Sequence, residues 1–254
     1  MSATTRTQTR LLAAAAGLLL GALGPASCTQ PPIACTTGHG VYAAKYTLKA
    51  GDAAAACAQL PGDFLGMQTY YAEKNGLPDF TRISIAIRPE SIGYLVQERI
   101  DRGAAASLKA ANAVGDFVDD LPASDDFCTA DELAASEVKL PYVAEEIIPD
   151  DPDTDEDESD VLPELPATEL RLEWSDLRFY VTANAQGTQF TARLKYTQDG
   201  CVATYDVVGA FPAVPCESQA DCDDPNNGLN PDFALECDAG IGACIPKGDL
   251  PAFK

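Results

Sequence analysis

The sequence predicts a mainly β protein: an antiparallel β-sandwich or partly closed barrel with one or two short helices, followed by a small disulfide-rich module. Three observations carry this prediction. Short segments alternate apolar and polar residues, an Asp-Gly pair joins two such segments with matching patterns, and no repeated strand–helix alternation is present. Alternation with a period of two is typical of strands that bury one face.

The best-defined element is a hairpin around Asp199 and Gly200, which joins residues 189–198 to residues 201–209. A two-residue Asp-Gly loop favours a type I′ turn, and this fixes the register of the two strands. The apolar residues of both strands then share one face, and a slip by one residue would separate them. The predicted facing pairs are Ala192–Val207, Arg193–Asp206, Leu194–Tyr205 and Tyr196–Ala203.

Other elements follow from the same reasoning. Trp174 and Leu177 lie on opposite phases of one strand, so we expect a bulge near Ser175 and Asp176. Tyr70 and Tyr71 are adjacent in a predicted strand, where one ring should face in and the other out. The predicted strands are 41–48, 63–71, 81–88, 114–118, 172–183 and 189–197, and the predicted helices are 91–102, extended through the alanine-rich residues 104–113, and 129–136.

The first 27 residues have the pattern of a signal peptide. Arg6 and Arg10 precede the apolar run 11–23, and small residues follow it. The run is too short to cross a bilayer, which takes about 20 residues. Residues 28–34 are then a short tether, and residues 35–210 the β-rich domain.

Ala26, Ser27 and Cys28 resemble the lipobox of bacterial lipoproteins, although Pro25 stands where that family has an aliphatic residue. The resemblance implies cleavage before Cys28, a diacylglycerol on its thiol, and therefore a partner membrane. The alternative is ordinary secretion after cleavage behind Ala26. Thr29, in place of an aspartate, favours the outer membrane, with the protein facing the periplasm or the cell surface.

Cysteine parity agrees with a lipid on Cys28. The chain has nine cysteines, and lipidation of one leaves an even number for disulfides in an oxidising compartment. Within the predicted module 211–254, three pairings are open; similar spacing favours Cys216–Cys237 with Cys222–Cys244. Zinc is disfavoured because the module has no CxxC and no histidine. The eight predicted disulfide cysteines are Cys35, Cys57, Cys128, Cys201, Cys216, Cys222, Cys237 and Cys244.

The chain is strongly acidic, with a formal charge of −22, and this disfavours nucleic acid as a partner. Residues 144–169 alone hold twelve acids and no base, so we expect a disordered loop there.

Within that loop, Asp153, Asp155 and Asp157 are spaced as in the first half of an EF-hand, and Glu164 falls at the twelfth position. Glu158 replaces the required glycine, so these four are only weak candidates for calcium. No other metal and no cofactor is expected.

Two longer patterns extend the resemblance. The module reads CxSxxDC and CDxGxGxC around Asn-Pro-Asp-Phe, and WSDLRFYVTA, GTQFTA and YTQDGC precede it. Both resemble exported myxobacterial lipoproteins with a C-terminal cysteine-rich module. The resemblance implies export and an anchored role at the surface or in the periplasm, and it supplies no activity.

Motifs for catalysis are absent from the sequence. His39 is the only histidine, and no GxSxG, HExxH or GxxxxGK[ST] occurs. We therefore assign no catalytic residue and expect a non-enzymatic surface or envelope protein with a binding or structural role and an unidentified envelope partner. The alternative is a carboxylate-based, glycosidase-like hydrolase acting outside the cytoplasm, which needs two acids in one cleft.

Overall fold

The computed structural model describes residues 33–148 and 160–254, and Ile33–Lys254 form one compact unit. The described residues contain two α-helices, neither long and apolar enough to cross a membrane. Short 3-10 turns lie at Ala56–Ala58 and Leu108–Ala111. The elements are β1 Gly40–Ala50, β2 Gly62–Lys74, β3 Leu77–Pro89, α1 Glu90–Asp101, β4 Ala113–Asp116, β5 Phe127–Glu132, β6 Ser136–Leu140, β7 Glu146–Ile148, β8 Asp160–Leu162, β9 Thr168–Thr182, β10 Ala185–Gln198, β11 Cys201–Ala210, α2 Gln219–Asp223, β12 Leu235–Asp238 and β13 Ala243–Pro246.

Nine strands form one antiparallel sheet that curls into a nearly closed barrel. Its order is β4-β3-β2-β1-β11-β10-β9-β5, and β6 pairs with the other half of β9. Two hydrogen bonds bridge the remaining gap: Val118 donates to the Thr129 carbonyl (2.8 Å) and Ala134 to the Val114 carbonyl (2.7 Å). The predicted mainly β, partly closed barrel is therefore confirmed.

The barrel has two distinct ends. At the N-terminal end, β1 begins at Gly40 and β11 finishes at Ala210. At the helix end, β3 runs into α1, which buries Ile92 and Val96 against the barrel interior.

The Asp-Gly hairpin is confirmed in turn and register. Asp199 and Gly200 have φ of 50° and 84°, as a type I′ turn requires, and all four predicted pairs face each other. Arg193 lies 3.8 Å from its predicted partner Asp206 and closer, at 2.6 Å, to Asp176.

The expected bulge in β9 is confirmed as well. Asp176 adopts φ 52°, and the pairing with β10 shifts between Thr191 and Arg193. The extra residue turns both Trp174 and Leu177 into the core, where their exposed fractions are 1% and 0%. Trp174 is thus a packing residue.

Two helix predictions are wrong. Residues 129–132 belong to β5 and Ser136 begins β6, because the long edge of β9 offers backbone partners that outweigh a short segment's helix propensity. The extension of α1 through residues 104–113 also fails. Gly103 takes φ 74° and ends the helix, and only the 3-10 turn Leu108–Ala111 follows.

The predicted disordered loop, residues 144–169, includes ordered residues at both of its ends. Strands β7 and β8 pair with each other, and Val143 bridges to Leu165. Arg102, at the end of α1, donates to the carbonyls of Ala144 and Pro163 and so fixes the base of this hairpin. Residues 149–159, the most acidic part, lie outside the described residues.

The C-terminal residues pack on the outer face of the barrel. Gln189 of β10, fully buried, exchanges two hydrogen bonds with the backbone of Ala252 (2.9 and 3.2 Å). Lys45 of β1 pairs with Asp238 at 2.8 Å. A second small core, built around the disulfides and Phe233, covers this face of the sheet.

Candidate functional site

All eight cysteines of the described residues are in disulfides. Two bonds span long stretches of the barrel, Cys35–Cys128 and Cys57–Cys201. The other two are Cys216–Cys237 and Cys222–Cys244, the pairing that similar spacing favours. Three of the C-terminal sulfurs lie within 4.8 Å of one another, yet as disulfides they have no thiolate to offer a zinc ion.

Residues 33–39 are fixed to the N-terminal end of the barrel. The Cys35–Cys128 bond joins them to β5, and the Thr37 hydroxyl donates to the Gly187 carbonyl at 3.0 Å. A Cβ on Gly187 would lie 1.3 Å from the Thr37 oxygen, so this contact requires glycine. The chain therefore leaves the barrel from a defined point on this end.

His39 borders a cavity of about 180 Å³ between this segment and the barrel, together with Tyr42 and Phe211. Its Nδ1 is 3.0 Å from the Gln68 amide nitrogen. Burial raises the pKa of Tyr42 to about 12, so its phenol stays protonated at neutral pH and donates to the Gly187 carbonyl. No carboxylate or thiol of the described residues lines this cavity beside His39.

An open groove lies on the outer face of the barrel. Two depressions of about 320 and 380 Å³ share Val41, Gly66 and Arg88, so they form one continuous surface between the sheet and α1. Tyr94 of α1 borders one depression and Tyr70 of β2 the other, and their rings are 67% and 54% exposed. We call this surface the outer groove.

The side chains of the outer groove combine flat apolar faces with hydrogen-bonding groups. Gln68, Gln97 and Asn112 present amides, and Arg88 forms no ion pair with any described residue. Glu90 accepts a hydrogen bond from the Tyr94 hydroxyl at 2.9 Å. Aromatic faces flanked by planar polar groups can stack on sugar rings and bind their hydroxyls.

Gly66 forms the floor where the two depressions meet. A Cβ there would lie 3.6 Å from the Arg88 carbonyl, an ordinary contact, so a side chain fits without distorting the backbone. Such a side chain would extend into the outer groove and fill it.

A small cavity of about 110 Å³ lies at the helix end, between α1 and the barrel interior. Tyr46 lines it, and the Tyr46 hydroxyl has no hydrogen-bond partner among the described residues. The Asp63 carboxylate accepts hydrogen bonds from the hydroxyl and the amide of Ser91. Burial raises the pKa of Asp63, and the negative charge of nearby Glu90 makes a smaller contribution in the same direction. Burial also raises the pKa of Tyr196, to about 12.

Asp63 should therefore destabilise the protein at neutral pH. Because its pKa is higher in the folded state, folding holds its proton more tightly, and stability falls as pH rises from the ordinary aspartate pKa of about 4 through the raised value. Asp63→Asn should raise the melting temperature at pH 7 and change it little at pH 3. Asp131→Asn, at an exposed position in β5, is the control. An equal gain at both pH values would contradict this explanation.

The remaining predicted carboxylates form no metal site among the described residues. Asp153, Asp155 and Asp157 lie outside that part of the chain, and Glu164 accepts a hydrogen bond from the Tyr142 hydroxyl at 2.8 Å.

The hydrolase alternative needs two acids in one cleft. Among the described residues, Glu90 borders the outer groove and Asp63 borders the cavity at the helix end, so the two carboxylates line different cavities.

The prediction that one ring of the Tyr70 and Tyr71 pair faces inward is wrong. Their exposed fractions are 54% and 37%. The reason is that β2 and β3 continue beyond the start of β1, which pairs with β2 only as far as Met67. Tyr70 and Tyr71 therefore have no β1 residue beside them to cover their rings.

A known protein family matches the part of the chain that contains the whole barrel. The family model described as MlpA matches residues 40–212, which run from the start of β1 past the end of β11. The chain belongs to the MlpA family. All nine strands of the barrel lie in that region, and the outer groove is built from residues within it.

A Myxococcus xanthus member of the MlpA family, itself named only as a candidate lipoprotein, is 39% identical to this chain over 97 residues. That match covers 35% of this chain and 41% of the relative, so the chain spans about two fifths of the relative's length. No solved structure matches the chain.

Proposed function

We propose that the chain is an exported lipoprotein, anchored in the outer membrane through Cys28, and that its barrel binds an envelope component. The observation that best supports the anchor is the pairing of the cysteines. The eight cysteines other than Cys28 pair among themselves, so Cys28 has no cysteine left to bond within the chain. An exported protein with one thiol in excess is well explained when a lipid occupies that thiol.

Two further observations support the anchor. The Myxococcus xanthus relative is named as a candidate lipoprotein. The disulfide at Cys35 fixes the chain to the barrel only seven residues after Cys28, so the anchor would hold a folded domain through a short tether.

Metabolic labelling with a fatty-acid analogue tests the anchor. The natural protein should be labelled and Cys28→Ser should not, because only the thiol of residue 28 receives diacylglycerol. Pro25→Leu is the matched control, since it brings the sequence nearer to the lipobox and should be labelled at least as well. Label on Cys28→Ser, or none on the natural protein, would refute the lipid.

The outer groove is the surface that we assign to binding, and an envelope saccharide chain is the ligand that its chemistry fits. Tyr70 and Tyr94 offer two exposed rings, separated by Gly66 and Arg88. Stacked rings and amide hydrogen bonds recognise sugar faces and hydroxyls, and the guanidinium would receive an acidic substituent.

Gly66→Val should weaken saccharide binding by about tenfold or more while leaving the melting temperature nearly unchanged, because it fills the groove without strain. The probes are oligosaccharides released from peptidoglycan and from lipopolysaccharide, titrated by calorimetry. Tyr70→Ala should also weaken binding. Tyr142→Ala, which removes a ring that is 56% exposed and outside the groove, is the control. If the Gly66→Val variant binds the saccharide as tightly as the natural protein, the ligand binds outside the outer groove.

A further inference from the structure

The hairpin of β2 and β3 projects from the N-terminal end of the barrel. On one side β1 pairs with β2 only as far as Met67, and on the other the last backbone contact with β3 is the hydrogen bond from Phe117 to the Ile83 carbonyl (2.8 Å). Ile83 pairs with Tyr71, and beyond that pair the two strands pair only with each other, up to Lys74. Three residues at about 3.3 Å each give a projection of about 10 Å.

The tip of this hairpin is apolar and electrically balanced. Tyr71, Leu77 and Phe80 are 37%, 68% and 62% exposed, and the rings of Tyr71 and Phe80 are in edge contact at 4.9 Å. The charges of residues 70–82 are two acids and two bases, so the hairpin is neutral in a chain of formal charge −22. Exposed apolar clusters of this kind mark interaction sites.

The same end of the barrel carries the start of the described chain. The Thr69 hydroxyl donates to the Thr37 carbonyl, and Gln68 contacts His39, so the base of the hairpin lies beside residues 33–39. Only residues 29–32 separate Cys28 from Ile33. Even fully extended, the five links from Cys28 to Ile33 span about 18 Å, so the anchor would hold this end of the barrel, and the hairpin on it, close to the membrane surface.

We propose that the hairpin tip, formed by Tyr71, Leu77 and Phe80, inserts into the surface of the bilayer that holds the anchor. This inference rests on the proposed lipid at Cys28. The short tether keeps the N-terminal end near the membrane, and aromatic side chains favour the boundary between headgroups and acyl chains. The neutral hairpin can approach where the rest of the acidic surface, including Asp119 and Asp120 at this end, is repelled by anionic lipid.

The insertion has a structural consequence. A single lipid contact leaves a domain free to rotate, whereas a second contact holds the barrel axis at one angle to the membrane. The helix end then points away from the bilayer, and the outer groove on the side of the barrel stays accessible.

Tryptophan quenching in vesicles tests the insertion. The mature protein, purified from the membranes of expressing cells, is reconstituted into phosphatidylcholine vesicles with brominated acyl chains, with one tryptophan added by Phe80→Trp or Val202→Trp. Val202 is 46% exposed at the start of β11, on the helix end, and native Trp174 is a buried constant background. We expect quenching of Phe80→Trp to exceed that of Val202→Trp by about twofold or more, with a blue shift only for Phe80→Trp.

Flotation of the same samples separates the two ways in which the test can fail. If neither variant floats with the vesicles, the lipid anchor itself is refuted. If both float and their quenching is equal, the anchor stands and the inserted hairpin is overturned, which leaves the tip free for a protein partner. A variant that does not fold would lose the blue, buried emission of Trp174, and Leu77→Trp then replaces Phe80→Trp at the same tip.

Discussion

Replacing Cys57 and Cys201 together by alanine should lower the free energy of unfolding by about 5 kcal/mol, the largest loss expected from any one disulfide of the chain. This bond joins residues 144 positions apart, and in the chain-entropy model a longer loop restricts the unfolded chain more. It also ties the 3-10 turn before β2 to the first residue of β11. Denaturant unfolding of the oxidised protein, followed by circular dichroism, measures the loss.

The matched control is the pair Cys222 and Cys244, which are 22 positions apart. Alanine at both should cost about 3.4 kcal/mol by the same relation. Double substitutions avoid stray thiols that could form new bonds. An equal or larger loss for the C-terminal pair would mean that unfolded-chain entropy does not govern the stability of this protein.

Trp174→Ala should be among the most damaging single substitutions, costing about 3–5 kcal/mol. The indole is 1% exposed, packs edge-on to Tyr46 at 6.4 Å and lies beside the β9 bulge that turns it inward. Removing it leaves a large cavity that a barrel of paired strands cannot collapse to fill. The measurement is the denaturant midpoint at constant slope.

Trp174→Phe separates the contribution of side-chain volume to stability from the contribution of the indole N–H group. The indole nitrogen has no hydrogen-bond partner among the described residues, so losing it removes an unpaired buried donor. Phenylalanine should therefore cost less than half as much as alanine, and Val202→Ala, at an exposed position, should cost almost nothing. A phenylalanine variant as unstable as the alanine variant would indicate that the indole nitrogen donates a stabilising hydrogen bond after all.

The elements that could be predicted from the sequence are those governed by near neighbours. Asp199 and Gly200 determine their own turn, and the turn determines the register of the strands beside it. The bulge at Asp176 is equally local, because one inserted residue is enough to move the apolar side chains of a strand from one phase to the other.

The incorrect predictions concern segments whose secondary structure depends on residues far away in the sequence. Residues 129–136 resemble a helix by themselves, and only the free edge of β9, about 40 residues later, makes them strands. The partners of Cys35 and Cys57 lie 93 and 144 positions away, so no spacing rule could choose them.

The outer groove could not be predicted from the sequence for the same reason. Val41, Gly66 and Arg88 come from three different strands, and Tyr94 comes from α1. The strand register brings them together, because Val41 faces Gly66 and Gly66 faces Arg88. A glycine in the middle of an otherwise regular strand was the one local sign that something approaches the sheet there.

The most direct test of the lipid anchor is the intact mass of the protein extracted from membranes with detergent. We predict a chain that begins at Cys28, carries the added mass of the lipid on that residue, and has lost eight hydrogens to its four disulfides. Thr29→Asp, compared in the same preparation after membrane fractionation, should move the protein toward the inner membrane. A mature chain that begins at Ser27, with an unmodified thiol at Cys28, would contradict the anchor and remove the basis for an inserted hairpin.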